Sequence, residues 1–154
     1  MELESLAPVL SEHPILQGLP KAYIDLLVGC ASNVKFDAGE FIFRAGEPAN
    51  TFYVVRRGRV SIETFTPHRG AITIETVSDG ELLGWSWLIP PYFWHFDARA
   101  LNLTRAISLD AKCLRAKCDA DPALGYEILK RFSQIIEQRL EATRLQLLDL
   151  YAHV

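Results

Sequence analysis

Three tryptophans fall within ten residues, Trp85, Trp87 and Trp94, and Gly84, Ser86 and His95 stand beside them. Indole rings present flat apolar walls with one N–H donor each, so a cluster of them suits a ligand held by stacking. Ser86 and His95 are the polar handles adjoining those rings. The same rings can also fill a cavity instead of lining one. His95 has two readings as well: a bond to an acid or a metal-bearing ligand such as haem, or plain solvation on a strand. Two residues on, Asp97 and Arg99 share a strand face, which a surface ion pair explains.

Catalytic chemistry finds no comparable concentration. His13, His68, His95 and His153 are far apart in the chain, so the His-x-His pair of a cupin-like metal site is missing. No Ser–His–Asp set, cysteine nucleophile or nucleotide loop can be assembled with any specificity. The chain is therefore read as non-catalytic. Cys30, Cys113 and Cys118 are odd in number and lack metal-ligand spacing. They are expected to be reduced thiols of a cytoplasmic protein, without a disulfide.

The totals narrow the setting. A length of 154 residues fits one domain, or one domain with an appended element. With 49% apolar and 23% charged residues the chain can bury a core. A net charge of −3 offers no overall basic footprint for nucleic acid or membrane. No apolar run nears the roughly 20 residues of a membrane span, and MELESLAPVL lacks a secretory signal's cationic start.

The elements that must position the tryptophans follow from periodicity. Leu3, Leu6, Val9 and Leu10 have helical spacing over residues 2–12. A second helix is expected from about Pro20 through Ala31. From Ser32 the period changes to two. Val34 with Phe36, Phe41 with Phe43, residues 52–55, Val60 with Ile62, and Ile72 with Ile74 read as short strands. Turns at Gly39, Gly46, Gly58, Gly70 and Gly80 separate them, the pattern of an antiparallel sandwich or barrel.

The last strands are expected through about Trp94–Leu103 and Arg105–Leu109. A short helix around Ala111–Cys118 comes next. Asp121 as N-cap and Pro122 at the first helical position then open a long helix running to about Tyr151. Its apolar stripe is longer than one small barrel can cover, so a two-helix seam with a second copy is expected. Residues 1–120 are thus the barrel with its N-terminal helices, and 121–154 the helix of the same domain. No second, DNA-binding domain is expected in the chain.

The turns and strands together resemble a cyclic nucleotide-binding domain of the catabolite-activator type. Phe36–Asp37–Ala38–Gly39–Glu40–Phe41–Ile42–Phe43 is similar to that family's F-x-x-G-E-x-I-F segment. Gly46 follows at the expected place, Phe52–Tyr53–Val54–Val55 before Gly58 is similar to the family's Y-x-V-x-x-G-x-V segment, and Asp79–Gly80 with Gly84 to the start of its phosphate cassette. The resemblance runs from about residue 15 to 150. It implies a mainly β fold with flanking α-helices: a double-stranded β-helix (jelly-roll) barrel with a long C-terminal dimerisation helix. It also implies a small-molecule effector held between barrel and helix. Thr143 falls where the family places a threonine that reaches the base.

The cassette departs from that pattern. The family sets a glutamate after the cassette glycine and an arginine several residues later, one for the ribose hydroxyl and one for the cyclic phosphate. Here Trp85 follows Gly84, and the arginine position falls at Trp94, or at Phe93 or His95 with a one-residue shift. Indole cannot accept a sugar hydroxyl. Each lost charge-assisted bond is worth roughly 1.5–3 kcal/mol, about a 10–100-fold loss of affinity. Three readings stay open. The pocket takes another small aromatic or acidic ligand; or the rings fill it and the module only dimerises or docks a partner; or a cyclic nucleotide binds in a changed pose, with Arg99 or Arg59 supplying charge.

Overall fold

The structure, a computed structural model, describes residues 2–152; His153 lies outside them. Two helices come first, α1 (Glu2–Glu12) and α2 (Lys21–Val28). Eight strands follow: β1 (Ala31–Phe36), β2 (Phe41–Phe43), β3 (Thr51–Arg57), β4 (Val60–Thr66), β5 (Gly70–Val77), β6 (Leu82–Leu83), β7 (Asp97–Ala100) and β8 (Thr104–Asp110). Then come α3 (Ala111–Ala120) and α4 (Pro122–Ala152). The strands form two antiparallel four-stranded sheets, ordered β1-β8-β3-β6 and β2-β7-β4-β5. This is the mainly β jelly-roll with flanking helices that the alternation and turns predict.

The period-two residues supply the core. Phe52, Val54, Val60, Ile107 and Leu109 are buried, Phe52 against Phe132 of α4, and Leu114, Leu124 and Ile128 extend that core on α3 and α4. Gly58, at φ +132°, shows why its turn has no side chain. A Cβ there would lie 2.5 Å from Thr104 Oγ1 and 2.8 Å from its Cα, so the β3–β4 turn packs directly on the start of β8.

Several boundaries differ from expectation. Ala31 belongs to β1, paired with Leu109, and not to the second helix. The strand expected from Trp94 begins only at Asp97. Trp94 instead exchanges backbone hydrogen bonds with the Ala45–Pro48 turn: its N–H donates to Glu47 O, and its carbonyl accepts from Gly46 N. β6 adds a strand that the alternation does not predict, since its two residues are too few to show a period.

The thiols require a correction. Cys30, just before β1, and Cys113, in α3, form a disulfide across 83 residues of sequence. The β1–β8 pairing and the backbone bond from Asp110 N to Cys30 O bring their segments together. Only Cys118 is a free thiol, its pKa pushed up first by burial and then by Asp119 and Asp121.

Asp121 caps α4 as expected, accepting from Ala123 N and Leu124 N. The 31-residue helix is roughly 46 Å long. Its first half is buried at Leu124, Ile128, Phe132 and Ile135, whereas Leu140, Leu147, Leu148 and Leu150 are exposed. No helix among the described residues is long and apolar enough to cross a membrane.

Candidate functional site

β6 ends at Leu83, and the chain then turns through Gly84 into a single 3₁₀ turn, Ser86–Leu88. Gly84 sits at φ +97°, and a Cβ there would fall 2.5 Å from Trp94 Cη2 and 2.8 Å from Cζ3. The outer edge of the Trp94 indole therefore abuts bare backbone, where a side chain would collide with it. A face of the same ring stacks on Phe43, with centroids 3.8 Å apart and planes within 8°. Trp94 is 6% exposed.

Beside this stack is a hollow of about 90 Å³. Ile62, Val77, Leu82 and Leu83 wall it, while Trp85, Ser86, His95 and Phe96 stand around it. Ligand pockets commonly span about 300–1,000 Å³, so the Phe43–Trp94 pair already occupies much of the available space. Glu75 is the one charged residue lining the hollow. It ion-pairs with Arg139 of α4, which also reaches Glu81 at 3.6 Å. Among the described residues no lysine or arginine lines the cavity, and the nearby Arg139 is already paired, so no free cation stands there to neutralise a phosphodiester.

Five of the expected residues, Gly84, Trp85, Ser86, Trp94 and His95, do surround one cavity. Trp87 does not. It is wholly buried, stacked on Phe52 at 4.4 Å and edge-on to Phe132 of α4 at 5.2 Å. Its place is the joint between barrel and helix, where its Nε1 is left without a hydrogen-bond partner. Thr143 lies outside the hollow too: exposed on α4, it donates its hydroxyl to Arg139 O at 2.9 Å.

The spare cations expected for a changed pose are also placed elsewhere. Ala98, beside Arg99 in β7, is buried opposite Ile62, so alternation sends Arg99 to the other face of the sheet. There Arg99 Nη2 holds Glu63 Oε2 at 2.7 Å. That hydrogen bond, aided by Ser61, outweighs burial and lowers the Glu63 pKa. Asp97 pairs with Arg44 at 3.4 Å, so the expected Asp97–Arg99 pair is replaced by two separate ones. Arg59 is exposed in the β3–β4 turn and is not among the lining residues.

Sequence reasoning missed two arginines. Arg139 joins α4 to the wall of the hollow through Glu75. Arg115 of α3 donates to Trp87 O at 2.8 Å and to Ala49 O at 3.2 Å, and covers the Tyr92 ring. Neither leaves a local signal: one partner is a distant carboxylate, the others are backbone carbonyls.

Residues 33–121 match the profile of the cyclic nucleotide-binding domain. A CRP-like cAMP-activated global transcriptional regulator of Mycobacterium tuberculosis is 25% identical over 142 residues, 92% of this chain. The chain spans 62% of that regulator's length. A solved cyclic nucleotide-binding domain from Methylobacillus flagellatus aligns with a TM-score of 0.78 at 18% identity, over 96% of this chain and 83% of the other. The sensor domain of a transcriptional regulator from Pseudomonas aeruginosa aligns at 0.73 and 22% identity, over 92% and 95%.

Proposed function

The chain belongs to the cyclic nucleotide-binding domain family, and on that premise we propose that it is a non-catalytic sensor module whose pocket has exchanged cyclic nucleotide recognition for a small, uncharged, largely aromatic ligand. One observation carries this reading. The edge of Trp94 abuts Gly84 and its face stacks on Phe43, where the family's cassette would hold ribose and phosphate. A cyclic phosphate entering there meets indole faces and Glu75, with no free guanidinium lining the cavity. A flat neutral ring meets stacking partners instead.

The output is α4. Ile136, Leu140, Thr143, Leu147 and Leu150 follow the 4-3 spacing of a coiled-coil seam, with the three leucines exposed. The module is therefore read as a homodimer joined along residues 136–150. Arg139 sits on that helix and grips Glu75 in the pocket wall. A ligand that displaces Glu75 would loosen α4 from the barrel, shifting its arrangement only as far as it binds the two states differently.

A second reading has one specific support. The Phe43–Trp94 stack leaves only about 90 Å³, which suits a ring-filled, ligand-free dimerising module. Melting curves and tryptophan emission separate the two. Cyclic AMP, cyclic GMP, haem, indole and phenylacetate are titrated in parallel. A rise in melting temperature with indole, and none with either nucleotide, is expected of a ligand held by the native state alone. Micromolar binding of cyclic AMP would overturn the proposal, and silence across the whole panel would favour the second reading.

A further inference from the structure

A second hollow, of about 520 Å³, opens on the other sheet, where β1 ends, β8 begins and β3 ends. Its lining is mostly polar: Asn33, Arg56, Arg57 and Arg105, with Val34 and Ala106. The strand register makes this grouping unusual. Arg105 is directly opposite Lys35 on one side and Arg57 on the other. Side chains so placed lie about 4.5–5.5 Å apart at Cβ, and like charges there repel. Nothing in the described residues relieves that repulsion. Lys35, Arg57 and Arg105 are exposed, and no carboxylate forms an ion pair with any of them.

Two further details suit a binding site better than accident. A β-bulge between Val55 and Arg57 breaks the β3–β8 register, so consecutive residues Arg56 and Arg57 both line the hollow. Bulges commonly re-aim side chains in this way. Arg56 is steadied by Asn33, whose Oδ1 accepts from Nη1 at 3.4 Å. The chain as a whole carries −3, so three guanidiniums around one cavity are a local concentration against the general charge.

We propose that this hollow binds a compact phosphate-type polyanion, a phosphate monoester or diphosphate, held by Arg56, Arg57 and Arg105. The planar guanidinium fork matches phosphate oxygens two at a time. A single carboxylate would neutralise one cation of three, whereas a dianion or trianion balances the group. With three arginines among six lining residues, the hollow suits an anion better than a peptide read by its apolar side chains. The site is separate from the Trp94 hollow and stands or falls independently of it.

The test uses the full chain at constant ionic strength, with pyrophosphate, a phosphoserine peptide, a polyglutamate peptide and short duplex DNA as probes. Pyrophosphate or the phosphoserine peptide should raise the melting temperature, and the larger effect identifies a free or a protein-borne phosphate. Arg105→Gln should raise the melting temperature of the unliganded protein by removing the central repulsion. It should also weaken phosphate binding about tenfold or more. That opposite pair of signs is not produced by a merely structural arginine. The proposal is overturned if phosphate leaves the wild-type melt unchanged, or shifts Arg105→Gln equally. Tighter binding of DNA or of polyglutamate than of either phosphate probe also overturns it.

Discussion

Gly84 and Trp94 define one another, which makes the site sensitive to a single methyl group. Alanine at 84 must hold a positive φ and displace a buried ring contacted at 2.5 Å. Gly84→Ala should destabilise the protein by about 1–3 kcal/mol in urea titration and alter tryptophan emission. His13 offers a second measurement at this scale. Ile15 N–H donates to its Nδ1 at 3.2 Å, which leaves Nε2–H to donate to Gly80 O at 2.6 Å. Burial lowers its pKa despite the Gly80 bond. With a folded pKa below the unfolded value of about 6.5, its stabilisation is full above that value. It is lost as pH falls through the folded pKa. Melting temperature should drop between pH 7 and pH 5.5, and His13→Gln should flatten that drop.

At the scale of elements, strands and turns were legible because alternation is local. Phe41 and Phe43, and the Arg57–Gly58 turn, announce themselves within a few residues. The Asp121–Pro122 start of α4 does so too. Where an element depends on a remote partner, the local pattern misleads. Trp94 continues an alternating run, yet it bonds the Ala45–Pro48 turn and leaves the strand. The Cys30–Cys113 bond was hidden for the same reason, since 83 residues separate the two thiols. That crosslink closes a long loop and ties α3 to the start of β1. Reducing it should lower stability by about 4 kcal/mol, read as a shift of the urea midpoint with and without dithiothreitol. An unchanged midpoint would mean that the bond contributes little in solution.

For the whole molecule, the exposed half of α4 is the main apolar surface without cover. Leu147 and Leu150 are 52% and 68% exposed, and they lie on the 4-3 seam. Leu147→Glu should convert a dimer to a monomer in light scattering at micromolar concentration. It should leave the barrel's circular dichroism intact, because Leu147 is exposed and lies outside the buried core. A monomeric wild-type protein would remove the dimer from the proposed mechanism.

By itself the sequence determined the barrel, its turns and the long helix, since each is written in local periodicity or turn residues; the family resemblance then set Trp85 and Trp94 against a cassette glutamate and arginine. Tertiary structure alone decided which of the three tryptophans reach the cavity, which carboxylate holds Arg99, and that Arg139 bridges helix and pocket. It also decided that Lys35, Arg105 and Arg57 stand side by side. Those outcomes depend on strand register and on contacts across tens of residues. Side-chain chemistry read along the chain does not contain them.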